Sequence, residues 1–222
     1  MSTVVTKLVR KELYINRQIM QVVTVAGLLS VWLAAHGQFA FNLGMLAWMT
    51  AIISLGVILA LSGVVRERKD RALLFVMSLP ISAHGYLRAK QSGLLLCFAL
   101  PWFALSTAAV LLVLWAPSIV DGVLPFAVLF CIYLFANFVW VLAGVLITQS
   151  EALVGLVIIA TNMSISVFMM IVSGLPSMQT QWQRAYPLWD RDFWSVLAVE
   201  VVLIAIGLAV PRIIAAYRRG WT

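Results

Sequence analysis

A chain of 222 residues that is 64% hydrophobic and 10% charged stands far from the roughly 45–50% and about 25% typical of soluble domains. Its mean hydropathy of +1.05 agrees: it reads as an integral membrane protein with room for several spans and no separate soluble catalytic domain. The net charge of +7 does not mark a nucleic-acid binder, because the basic residues adjoin apolar spans. Cys97 and Cys131 fall within apolar segments and are expected as free buried thiols, not as a disulfide or a metal pair.

Taken in order, residues 1–17 precede any span. At helical spacing Lys7, Lys11, Tyr14 and Gln18 share one side, flanked by Arg10 and Arg17, and Val5, Leu8, Val9, Leu13 and Ile15 fall on the other. This predicts an interfacial amphipathic helix with its cations toward anionic lipid, although Glu12 and Asn16 land within the apolar side. The alternative is a solvated basic tail. No small-residue cleavage site follows the first apolar stretch, so that stretch is expected to remain as an anchor.

Six apolar segments follow, at about 18–36, 43–65, 92–115, 123–147, 151–174 and 193–214, each near the ~20 residues needed to cross ~30 Å of hydrocarbon. Pro101 and Pro125 fall inside the third and near the start of the fourth, where neighbouring helices can satisfy the freed backbone. With the N-terminus inside, the inner segments hold Lys7, Arg10, Lys11, Arg17, Arg66, Arg68, Lys69, Arg71, Arg88, Lys90, Arg212, Arg218 and Arg219. Only Arg184 and Arg191 remain outside, and a bias of that size predicts both termini in the cytoplasm of a multi-pass plasma (bacterial inner) membrane protein. Residues 175–192 form the longest outer segment and are expected as one or two short helices, interfacial or re-entrant, with Trp182, Tyr186, Trp189 and Trp194 as an aromatic belt.

Catalytic equipment is scarce. There is no G-x-x-x-x-G-K-[ST], G-x-S-x-G or H-E-x-x-H, and no pair of aspartates within the spans. His36 and His84 fall on opposite sides in this topology and read as plain polar residues near the interface. Glu200 is the one acid inside a span, about two turns from its outer end. It is either a hydrogen-bonded or protonated group facing the bundle, or a contact for a polar or cationic part of a substrate or for a dimer interface. Asn137 and Asn162 suggest helix-to-helix hydrogen bonds, Ala47/Ala51 and Ala104/Ala108 close helix packing, and Glu151 a charge at a helix start.

The long charged interruption is Arg66 to Lys90, which holds six basic residues and two acids between the second and third spans. Charges of this number cannot sit in hydrocarbon. The run Ala72 to Met77, ended by Ser78-Leu79-Pro80, suggests a folded element lying against the membrane rather than a linker; the alternative is a charged loop that only enforces topology. Glu67-Arg68-Lys69-Asp70, the short apolar run, Ser78-Leu79-Pro80-Ile81-Ser82 and Lys90 at the third span resemble the membrane subunits of type 2 ABC exporters. Those often read E-R-x-x-G-T-L-E-x-L-x-x-x-P-x-S followed by a Lys; here Arg71-Ala72 stands in place of Gly-Thr and no Glu follows Leu73.

The resemblance implies an all-α six-span domain over residues 1–222, with an N-terminal elbow helix, a cytoplasmic coupling helix within 66–90, and short outer helices before the sixth span. It further implies docking to a separate ATP-binding cassette ATPase through Glu67, Arg68, Asp70, Arg71 and Leu74, and a coupling turn at Pro80 and Ser82. ATP and Mg would be held by that partner and no cofactor by this chain. The substrate path would run between two permease chains, lined by spans one, two and five, for an amphipathic cargo. Competing readings are a non-transporting membrane anchor or immunity protein that binds partners, and an intramembrane enzyme.

Overall fold

The structure, a computed structural model, describes residues 3–66, 83–116, 119–148, 150–182 and 184–217. Their regular secondary structure is all helical, with no strand among them, and six helices are long and apolar enough to cross a membrane. Uniformly apolar sequence favours this outcome, since in hydrocarbon a helix satisfies every backbone N–H and C=O within its own segment. The six helices fit a multi-pass membrane protein.

In chain order these are α1 (Thr3–Ala34), α2 (Gln38–Ala60), α3 (Ala83–Trp115), α4 (Leu124–Ile147), α5 (Glu151–Ser173) and α7 (Arg191–Tyr217), with the short α6 (Pro176–Gln181) between the last two. A π-helical turn, Leu61–Arg66, continues α2, and a 3₁₀ turn, Asp121–Val123, leads into α4. The predicted spans are recovered with shifted ends. The reversal between α1 and α2 is tighter than the predicted 37–42 turn: it is made at Gly37, whose φ of 115° suits glycine.

α1 packs on α2 and α3, α4 packs on α2, α3, α5 and α7, and α4 is the most enclosed of the six. The core forms where apolar stripes at helical spacing meet. Trp48, Ile52, Leu55 and Leu59 of α2 face Leu94, Phe98 and Leu105 of α3, with Leu134, Phe138 and Leu142 of α4 completing the cluster. Phe98 stacks on Phe138 at 4.0 Å between ring centroids, and the Trp48 indole N–H donates to the Leu105 carbonyl at 3.1 Å, which leaves no unmet donor on the largest core side chain. Close approach of α1 and α2 depends on Gly44. A Cβ there would stand 2.7 Å from the Ala34 amide nitrogen, so this position, and not exposed Ala47, is where the two backbones meet.

Two expectations change at this level. No break separates residues 3–17 from the first span; α1 is one helix of 32 residues, about 48 Å long at 1.5 Å per residue. Lys7, Lys11, Tyr14 and Gln18 are exposed as expected, but Ile15 is also exposed, and Glu12 and Asn16 are buried against α3. The segment 175–192 contains one short helix, α6, followed by irregular chain among the described residues. That chain is pinned to the 3₁₀ turn by the Gly122 amide donating to the Arg184 carbonyl at 3.2 Å, and Asp190 caps α7 by accepting from the Phe193 amide at 3.1 Å. Trp182, Tyr186, Trp189 and Trp194 are all exposed at this end of the bundle.

Candidate functional site

Glu67, Arg68, Asp70, Arg71 and Leu74, and the turn residues Pro80 and Ser82, lie outside the described residues. What the structure does describe is how the flanking helices are held. Lys90, two turns into α3, is 3% exposed, and its Nζ stands 2.8 Å from Oε1 of Glu12 on α1, 78 residues away in sequence. Asn16, one turn further along α1, is 3% exposed and donates to the Glu12 carbonyl at 2.9 Å. The seat for this pair is Gly93, where a Cβ would stand 2.9 Å from Cγ of Glu12. Lys90 is therefore not a cation at the rim of a loop but one partner of a buried interhelical ion pair.

The next residue ties α3 to α7. Gln91 is 1% exposed; its Nε2 donates to the Leu208 carbonyl at 3.0 Å, and its Oε1 accepts from Nε of Arg212 at 3.0 Å. Pro211 lies inside α7 at this level and has no N–H to give the Gly207 carbonyl, so the amide of Gln91 enters a turn whose own ladder is interrupted. Lys90 and Gln91 thus fasten the start of α3 on two sides, to α1 and to α7.

A second polar locus lies between α4, α5 and α7. A groove of about 310 Å³ is lined by Tyr133, Ala136, Asn137 and Trp140 of α4, Ala160, Thr161 and Ser164 of α5, and Leu203 of α7. The Tyr133 hydroxyl and Ser164 Oγ are 2.7 Å apart, Ser164 donates to the Thr161 carbonyl at 2.6 Å, and Asn137 Nδ2 donates to the same carbonyl at 2.6 Å. Asn137 thus bridges α4 and α5 as expected, whereas Asn162 donates at 2.7 Å to Ile158 of its own helix.

Glu200 is 1% exposed. It shares the buried stripe Phe193, Glu200, Gly207 and Pro211 of α7, which faces α4: a Cβ on Gly207 would stand 2.7 Å from Cγ1 of Val139. Both carboxylate oxygens are buried without a hydrogen-bond partner.

The remaining candidates have local explanations. His36 is exposed, with its ring nitrogen 2.9 Å from the Trp32 carbonyl and its ring 4.4 Å from that of Trp32; the His84 side chain lies outside the described ones. Glu151 opens α5 at its first turn, after Ser150, whose side chain makes no capping bond. Cys97 and Cys131 are free and buried. Among the described residues, no group of three or more His, Cys, Asp or Glu side chains could hold a metal ion. Sequence reasoning placed Glu200 within a span but missed the Glu12–Lys90 pair and the Gln91 tie. The available signal was Glu12 and Asn16 on the apolar side of the first helix, with Lys90 and Gln91 preceding the third apolar run. Compared with known proteins, the chain matches no family model, no curated protein and no solved structure.

Proposed function

We propose that the chain is the permease subunit of an ATP-driven exporter, acting as a dimer with separate ATP-binding cassette ATPase subunits and moving an amphipathic cargo such as a lipid, peptide or drug-like molecule. The observation that carries this reading is the double fastening of α3 directly after the charged segment. Lys90 joins α3 to α1 through a buried ion pair, and Gln91 joins it to α7. A partner pushing on the segment between α2 and α3 would displace the start of α3, and these contacts would carry the displacement into two further spans. On this reading both termini lie in the cytoplasm of a bacterial inner membrane, and Glu67 to Met77 is the coupling helix. ATP hydrolysis belongs to the partner.

The test is purification of the tagged chain from its own cells in mild detergent, with ATP hydrolysis assayed on the eluate. The native chain is expected to bring down an ATP-hydrolysing partner, and a Glu67→Lys/Asp70→Lys chain to lose it at unchanged membrane level. If the native chain carries no such partner, the exporter reading falls and a partner-binding membrane anchor takes its place.

A further inference from the structure

We infer that the exposed face of α1 is a binding site for one anionic diacyl phospholipid, drawn from the leaflet at the N-terminal end of that helix. Lys7, Arg10, Lys11 and Arg17 are all exposed, and at 3.6 residues per turn they fall within about 120° of one another. Glu12, the only acid in α1, lies on the other side, buried against Lys90. The face therefore carries four positive charges and no acid of its own helix, which fits an anionic partner. Tyr14, 65% exposed, stands among these cations, and the Arg17 guanidinium carbon is 4.5 Å from its ring centroid. That cation–π contact holds the guanidinium on this face. Arg10, Tyr14 and Arg17 follow at spacings of four and three, so two guanidinium groups bracket a phenol, and all three can donate to phosphate oxygens.

The order of chemistry along the helix favours a phospholipid over an acidic protein segment. After Arg17 the same face carries Gln18 and Gln21, both exposed, and then Val22, Val25, Leu29 and Trp32, exposed as well. Cations, amide N–H donors and an apolar run of about 15 Å thus succeed one another. Phosphate, ester carbonyls and alkyl chain succeed one another in the same order in a diacyl phospholipid. An acidic peptide would answer the cations and leave the apolar run unmatched. Because α1 does not break between residues 17 and 18, the three parts stay in line. Its length of about 48 Å is close to the ~40–45 Å of a whole bilayer, headgroup layers included, which sets its first turns among headgroups. This lipid is a partner that the exporter reading does not name, and the site does not depend on that reading.

The experiment follows a trace of spin-labelled phosphatidylglycerol around the full chain in phosphatidylcholine bilayers, by the motionally restricted part of its electron paramagnetic resonance spectrum. No ATPase is present. A saturable restricted population is expected, displaced by unlabelled phosphatidylglycerol and not by added phosphatidylcholine. Dialkyl ether phosphatidylglycerol, which keeps the charge and lacks the ester carbonyls, is expected to displace it severalfold less well. Two single variants separate a site from diffuse attraction. Arg88 is exposed and stands two residues before Lys90, as Arg10 stands two before Glu12, so the Glu12–Lys90 pair sets both arginines near one level. Arg10→Gln is expected to weaken association about fivefold, the contribution typical of one basic residue near an anionic surface, and Arg88→Gln to leave it unchanged. Equal losses in the two variants, or equal displacement by the diether, overturn the site in favour of unspecific charge. No preference for phosphatidylglycerol over phosphatidylcholine also overturns it and leaves the face to an acidic segment of another protein. If either variant does not fold, the lipid comparisons on the native chain decide alone. Lipid selectivity without an ATPase partner in the pull-down removes only the exporter reading, and the reverse result removes only this site.

Discussion

Replacing Lys90 by Met leaves Glu12 as a buried charge without its partner. The two groups are 2.8 Å apart, with side chains 3% and 8% exposed. At that distance the gross attraction is about 6 kcal/mol for an effective dielectric constant of ~20, and the loss of hydration by both ions offsets much of it. Breaking such a pair from one side typically costs about 3–5 kcal/mol, whereas replacing both partners by neutral groups is close to neutral. For a chain of this size, about 2–4 °C of melting temperature per kcal/mol makes this a fall of roughly 6–20 °C for Lys90→Met and for Glu12→Gln separately. The Glu12→Gln/Lys90→Met chain should then melt above both single variants. Thermal melting of the detergent-purified proteins, followed by the loss of the monodisperse peak in size-exclusion chromatography, reads all four corners of the cycle. Losses that add to within about 0.5 kcal/mol, as independent sites do, would show that the two groups do not act as a pair and would remove the link between α1 and α3.

Gly44→Ala places a methyl group 2.8 Å from Cβ of Ala34 and should destabilise by about 1–3 kcal/mol or more, as overpacking does. Gly155→Ala meets nothing within 4 Å and should be neutral or stabilising by up to about 1 kcal/mol; equal melting shifts for the two would contradict the helix contacts described. Gln91→Leu strands the Arg212 contact and removes a donor from the Leu208 carbonyl, for an expected loss of about 1–3 kcal/mol. Melting curves of that variant should fall by several degrees, and no shift would mean that α3 and α7 are not joined there. Cys97 and Cys131, at 0% and 4% exposure, should resist a maleimide in the folded detergent-solubilised protein and react fully after denaturation in dodecyl sulfate. Rapid labelling before denaturation would place either residue on the wrong side of its helix.

The positions that misled or escaped sequence reasoning share one cause. Glu12 looked like a flaw in an amphipathic pattern because its partner lies 78 residues further on. Asn137 and Asn162 had the same environment on paper, yet one bonds across to α5 and the other to its own helix. Ala47/Ala51 had the spacing for close packing, but the contact with α1 was made at Gly44. Nothing local to Pro211 said that Gln91 would enter the turn it interrupts.

Hydropathy alone determined that the chain has six helical segments long and apolar enough to cross a membrane, with its longest charged interruption between the second and third. Those properties follow from segment length and from the cost of an unpaired backbone in hydrocarbon, both readable over some twenty neighbouring residues. Which side chains meet was decided only in three dimensions. In an all-apolar helix nearly every face could be buried, so the rotation of each helix about its axis is set by close fits, such as α1 against Gly44 and Gly93, that join residues far apart in sequence. The ion pair at Glu12 and Lys90, and the Tyr133–Ser164 contact between α4 and α5, exist because those fits turned the polar residues inward.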